Sequence, residues 1–198
     1  MLEPTPLEES DELWVARALQ DPQAYEELVR RYQSRLYNLA CRLTGDQEEA
    51  QDLAQEALIR AYNALARFRQ GERFSPWIYK IATNLCINYL RRRRFQVPLD
   101  EEAPFVDGAL TPEQALEREE TRVTVQEAIL TLPDQYRAVV LLRHQQELSY
   151  SDIASALGLP LGTVKTHLFR AREMLNKILS QELGKIAPTR PEGGKTNG

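Results

Sequence analysis

Lys165, Thr166, Phe169, Arg170 and Arg172 set cations, a hydroxyl and an aromatic ring at steps of one to three residues. On a helix this spacing collects them on an outward face, with Val164, Leu168, Ala171 and Leu175 turned inward. A basic face rich in hydrogen-bonding groups is what a helix needs to read the major groove of DNA. An ordinary helical hairpin with a solvated basic face would use the same residues. A second set lies upstream, where Phe74, Trp77 and Tyr79 alternate with Arg67, Arg69, Arg73 and Lys80. Asn84 and Asn88 follow one helical turn apart. Rings stack on exposed bases while cations hold the backbone, the combination that single-stranded nucleic acid selects. The competing assignment puts Trp77 and Tyr79 in a core and makes Arg91 to Arg94 a solvated helix end favoured by the helix dipole. The sequence holds no carboxylate pair in a pocket-like context, no nucleophile near a histidine and no Gly-rich phosphate loop, so neither catalysis nor a cofactor is expected. Cys41, Cys86, His144 and His167 contain no ligand-spaced pair, so no metal site is expected either.

Each set needs an element to carry it. Ser149 and Asp152 can cap a short helix with Ile153, Ala154 and Leu157 on one face, Gly158 stops it, and Pro160 enters a second helix. That is a helix-turn-helix. Ser75-Pro76 reads as the start of a helix, Ser as cap and Pro in the first turn, which carries Trp77, Ile78, Ile81, Leu85 and Tyr89 into Arg91 to Arg94. Upstream, Tyr25, Leu28, Val29, Tyr32, Leu36, Leu39 and Leu43 form one helical stripe, and Leu53, Ala54, Ala57, Leu58, Ala61, Tyr62 and Leu65 another. Thr44-Gly45-Asp46 separates them, and a leading helix is expected near residues 11 to 20. From Phe95 to Leu110 periodicity vanishes, and Pro98, Pro104 and Gly108 lie among acids, the pattern of a flexible linker. Helices are expected again over 113–131 and 134–147, broken at Pro133. The tail after Leu183 is rich in Gly, Pro, Lys and Thr and is expected to be disordered. The fold class is therefore all-α: two small helical domains over 1–94 and 113–183, an acidic linker at 95–112 and a tail at 184–198.

Composition sets bounds on partners. The 198 residues are 42% apolar but only 8% aromatic, which suits small helical cores. Cys41 and Cys86 lie in apolar helical patterns and read as buried free thiols of a cytosolic protein. No apolar run approaches membrane-spanning length, and the N-terminus is acidic rather than signal-like. A net charge of −4 is poorly suited to gripping duplex DNA unaided. Its distribution is telling: residues 1–27 hold eight acids and one arginine, 60–94 hold nine bases and one acid, and 99–120 hold eight acids and one arginine. Two basic modules joined by an acidic connector fit this alternation.

Both residue sets, in this order and separation, resemble the bacterial extracytoplasmic-function sigma factors, the two-domain members of the sigma-70 family. The likeness runs from about residue 20 to 180. It is carried by Tyr25-Glu-Glu-Leu-Val-Arg-Arg-Tyr32, Asp52-Leu-Ala-Gln-Glu56, Ala61-Tyr62, Trp77-Ile-Tyr-Lys-Ile-Ala-Thr-Asn84 and Tyr89-Leu-Arg-Arg. It continues in Leu132-Pro133 with Arg137 and Val140, Tyr150-Ser-Asp-Ile-Ala154, Gly162-Thr-Val-Lys-Thr166 and Arg170-Ala-Arg172.

The resemblance implies residue roles. Asp52, Gln55, Glu56, Ile59 and Arg60 would dock on the clamp helices of the largest subunit of core RNA polymerase, and the second domain on the flap of the second-largest subunit. The loop from Gln70 to Ser75 would receive a base flipped from the −10 promoter element, with Phe74, Trp77, Lys80, Asn84 and Asn88 along the melted strand. Many relatives carry Asp where this chain has Asn88. Lys165, Thr166, Phe169 and Arg170 would read the −35 element and Arg172 a phosphate. Relatives are often held by an anti-sigma factor between the two domains. Two other readings cover fewer residues. An autonomous helix-turn-helix regulator leaves the aromatic and Arg-rich block unused, and a protein-interaction adaptor leaves the basic reading face unused.

Overall fold

The computed structural model describes residues 9–69, 71–96 and 125–186. Every regular element among them is helical: α1 (Asp11–Ala18), α2 (Tyr25–Thr44), α3 (Gln47–Ala64), α4 (Phe74–Gln96), a helical stretch at 125–130, α5 (Asp134–His144), α6 (Tyr150–Leu157) and α7 (Leu161–Ile186). The expected linker after residue 96, the helix start near 113 and the tail beyond 186 lie outside the described residues.

The N-terminal helices form where the apolar stripes place them. Tyr25, Leu28, Tyr32, Leu36, Leu39 and Leu43 of α2 are buried against Ala50, Leu53, Ala57, Leu58 and Ala61 of α3. The small alanines let the two helices approach closely. Gly45 ends α2 in the left-handed region at φ 72°, and its amide donates to the Cys41 carbonyl at 2.8 Å. Asp46 then caps α3 by accepting from the Glu49 amide at 3.1 Å. One start differs from expectation. α4 begins at Phe74, so Ser75 and Pro76 fall in its first turn, and the Glu12 carboxylate of α1 accepts from the Phe74 amide at 3.1 Å. A cap supplied from another helix leaves no local sequence signal.

In the C-terminal half, α5 stops at His144, three residues before the expected end, and the chain turns through Glu147 at φ 55°. The Leu148 amide donates to the Leu142 carbonyl at 3.1 Å across this turn. Ser149 caps α6 through the Asp152 amide at 3.1 Å, and Gly158 closes it at φ 64°. α7 runs unbroken to Ile186, past the expected boundary at 183 and through Gly184. Ile153, Ala156, Val164, Leu168 and Ala171 are the buried residues of this helix-turn-helix.

The two halves pack as one body rather than as separate lobes. A single apolar cluster runs from Val15 through Phe74 and Tyr79 to Leu142, Ile153 and Ala171. Polar contacts stitch the junction. The Arg137 guanidinium, buried at 7% exposure, donates to the carbonyls of Leu43 on α2 and of Leu130 and Leu132 beside it. Arg94 meets Asp134 at 2.9 Å, Tyr79 donates to Gln146, and Arg73 meets Asp152 at 2.5 Å.

Candidate nucleic-acid interface

The α7 face comes out as its spacing requires. Lys165, Thr166, Phe169, Arg170 and Arg172 are all exposed, and Phe169 shows 63% of its surface to solvent with no partner ring among the described residues. Arg170 donates to the Tyr136 hydroxyl at 3.4 Å, and the Tyr136 ring meets His167 edge-on at 5.1 Å. Tyr136 on α5 thereby touches two residues of α7, a contact nothing in its local sequence signals. Burial, then the neighbouring Arg170 charge, holds the His167 imidazole below its ordinary value.

The upstream set divides. Lys80, Asn84 and Asn88 are exposed at four-residue steps along one face of α4, and Trp77 is half-buried at its start. Arg91 donates to the Asn88 side-chain carbonyl at 2.9 Å. Phe74 does not join them. It is fully buried, edge-on to Tyr32 at 5.3 Å and to Phe68 at 5.9 Å, so it cannot touch a strand from this position. Its ring supports Trp77, 5.5 Å away, and its type was legible but its inward direction was not. Tyr79, at 2% exposure, is likewise core, as the competing assignment for it held. Arg67, Arg69, Arg73, Trp77 and Lys80 line an open cleft of about 500 Å³, whose far wall is Asp152 and Ser155 of α6. Gln70 lies outside the described residues, and Gly71 beside it sits at φ 90°.

On α3, Asp52, Gln55, Ile59 and Arg60 are exposed and Glu56 is partly so, making one polar row with an apolar member. Ile59 and Tyr62 leave 55% and 41% of their surfaces uncovered. Glu56 and Arg60 pair at 2.6 Å, one turn apart. Sequence reasoning missed the adjoining groove, where Val29, Gln33 and Tyr37 of α2 face Gln51, Ala54 and Gln55 of α3. The four-residue steps of Val29, Gln33 and Tyr37 beside the buried α2 stripe were the available signal. No helix among the described residues is long and apolar enough to cross a membrane.

Comparison with known proteins follows the same division of the chain. Residues 28–96 match the family model for sigma-70 region 2, and residues 122–175 that for sigma-70 region 4. The ECF RNA polymerase sigma factor SigW of Bacillus subtilis is 40% identical over 169 residues, covering 80% of this chain and 90% of its own. The RNA polymerase sigma-H factor of Pseudomonas aeruginosa is 40% identical over 183 residues, covering 87% and 95%. Among solved structures, CnrH in complex with the cytosolic domain of CnrY superposes with a TM-score of 0.68 at 24% identity, over 87% of this chain and 99% of that one. RpoE of Bartonella quintana, bound to the anti-sigma factor NepR, gives 0.65 at 22% identity over 79% and 96%. At these identities the structures support the fold alone.

Proposed function

The chain belongs to the extracytoplasmic-function sigma factors of the sigma-70 family, and from that premise we infer how its surfaces share the work of starting transcription. It is a transcription initiation factor that binds core RNA polymerase and directs it to particular promoters. The segment to residue 94 docks on polymerase and handles the −10 element, and the segment over 113–183 handles the −35 element. Phosphodiester chemistry belongs to the polymerase, and the chain acts in the bacterial cytoplasm where polymerase and chromosome are.

Asp52, Gln55, Glu56, Ile59 and Arg60 meet the polymerase clamp helices, with the groove at Val29, Gln33 and Tyr37 as the apolar part of that contact. A row of polar groups around exposed Ile59 suits an interface with a buried centre and a wet rim. Trp77, Lys80, Asn84 and Asn88 follow the melted −10 strand. Trp77 replaces part of the stacking a flipped base loses, a cost of a few kcal/mol. Lys165, Thr166, Phe169 and Arg170 read the −35 duplex while Arg172 contacts a phosphate. An anti-sigma factor is a further partner, as it is for the RpoE neighbour.

The observation that carries this reading is the pairing of two unlike reading surfaces on one chain. One is a continuous exposed helix face suited to duplex, and the other a cationic cleft with a tryptophan wall suited to a single strand. Run-off transcription with purified core polymerase over a promoter library tests it. Specific starts are expected to need the chain and to fall about 10- to 100-fold in Asn84→Ala and Arg170→Ala, the effect of one lost base contact each. Starts that persist in both variants, or operator binding by the chain alone with no starts, would overturn the reading.

A further inference from the structure

Asp46 serves two helices with one carboxylate. Its Oδ1 accepts from the Glu49 amide at 3.1 Å and so caps α3, the helix that carries the Asp52 to Arg60 row. Its Oδ2 turns to α4, where the Tyr89 hydroxyl donates to it at 3.1 Å and the Arg93 guanidinium stands 3.7 Å away. Thr44 braces the turn, since its hydroxyl accepts from the Asp46 amide at 3.2 Å and donates to the Ala40 carbonyl at 2.8 Å. Burial and then the Asp46 charge hold the Tyr89 hydroxyl above its ordinary pKa, so it remains a donor. Tyr89 and Arg93 lie one turn apart on one side of α4, and two such points held on a single group resist rotation of the helix about its axis. Apolar packing thins out in this half of the helix. The α4 members of the central apolar cluster end at Cys86, with Tyr89 partly buried against it, whereas Asn88 and its partner Arg91 lie beyond Cys86.

We propose that Asp46 is a positioning residue for −10 recognition. It fixes the rotation of the far half of α4 relative to α3, and so sets how Asn84 and Asn88 meet the melted strand once α3 is docked on polymerase. The inference rests on assigning α3 to docking and α4 to the −10 strand. Asn84 and Asn88 are exposed, so the helix beneath them decides their direction. Hydrogen bonds weaken steeply as they bend, and a small turn of α4 would carry both amides off their partners together. The same turn would leave the α3 row and the α7 face where they are. Asp46 thereby ties strand reading to the frame of the docking helix, without touching DNA or polymerase itself.

Two substitutions cut the link from opposite sides. Asp46→Ser keeps a capping oxygen for α3, but one hydroxyl cannot also serve Tyr89 and Arg93. Tyr89→Phe removes only the donor on α4 and leaves the cap untouched, so it carries the test even where Asp46→Ser folds poorly. The full chain is assembled with core polymerase, and three affinities are measured by fluorescence anisotropy. They are for core itself, for a duplex holding the −35 element, and for a single-stranded oligonucleotide holding the −10 sequence of a start mapped by run-off transcription. Strand binding is expected to weaken about 3- to 10-fold in each variant, while core and duplex binding stay unchanged. The double variant should fall no further than Asp46→Ser alone, as a shared contact requires. Unchanged strand binding in Tyr89→Phe, additive losses, or losses shared equally by all three affinities would overturn the proposal, the last by making Asp46 a plain cap. Asn84→Ala separates the two levels. If it weakens strand binding and Tyr89→Phe does not, only the role of Asp46 falls; if the parent holoenzyme ignores the strand, or Asn84→Ala has no effect, the assignment of α4 falls and takes the proposal with it.

Discussion

Arg137 is the side chain on which most backbone depends. Its guanidinium serves the carbonyls of Leu43, Leu130 and Leu132 from a buried position, and burial pulls its pKa down while the Asp134 charge opposes that. Arg137→Ala is expected to lower unfolding free energy by about 3 kcal/mol in urea titrations, since it strands buried carbonyls. Arg137→Lys should recover little, because one ammonium cannot fork to three acceptors. A second expectation concerns Cys86, whose thiol burial pushes up to about 12. Disulfide-exchange reagents should leave it unmodified at neutral pH until the chain unfolds, and rapid native labelling would contradict the burial. The sequence marked Arg137 as one letter of a motif but could not name its partners, because a carbonyl on α2 has no side chain to advertise it. Phe74 failed for a related reason. Aromatic type is visible in a sequence, whereas the direction a ring points depends on packing from Tyr32 and Phe68.

Helix boundaries were legible wherever the capping group is local. Ser149, Gly158, Gly45 and Asp46 end or begin elements as their types foretell. Ser149→Ala is expected to cost about 1 kcal/mol in thermal or urea unfolding. Gly158→Ala should cost about as much for a different reason, since a Cβ there meets nothing within 4 Å and only the positive φ resists it. The misplaced ends, Phe74 and His144, lie where distant groups or a turn through positive φ decide the matter. α5 and α7 also predict a pH response. The fold holds His167 below its unfolded value of about 6.5, so the unfolded chain binds the proton first as pH falls. Stability should therefore decline as pH drops through that value, a decline absent in His167→Gln, and melting curves at pH 7.5 and 5.5 would reveal it.

For the molecule as a whole, charge segregation and the order of motifs made two helical modules legible, but their mutual packing was not. Arg73 with Asp152 and Arg94 with Asp134 are separated by 79 and 40 residues, and no periodicity connects such positions. With a net charge of −4, the chain alone should bind promoter duplex weakly and with steep salt dependence, and core polymerase should strengthen that binding greatly. Anisotropy titrations of labelled promoter with and without core would measure the difference, and equal affinities would speak against it. The contact of Glu12 with the Phe74 amide reaches further than a cap. α1 precedes the stretch that matches region 2, yet it grips the first turn of the helix that carries Trp77 and Lys80, and Asp11 beside it accepts from Tyr32 at 2.5 Å. The N-terminus is thus a handle on the cleft. A fusion that strains α1, or trimming to the matched region, should unfasten the start of α4 and blunt −10 selectivity before it harms docking on polymerase.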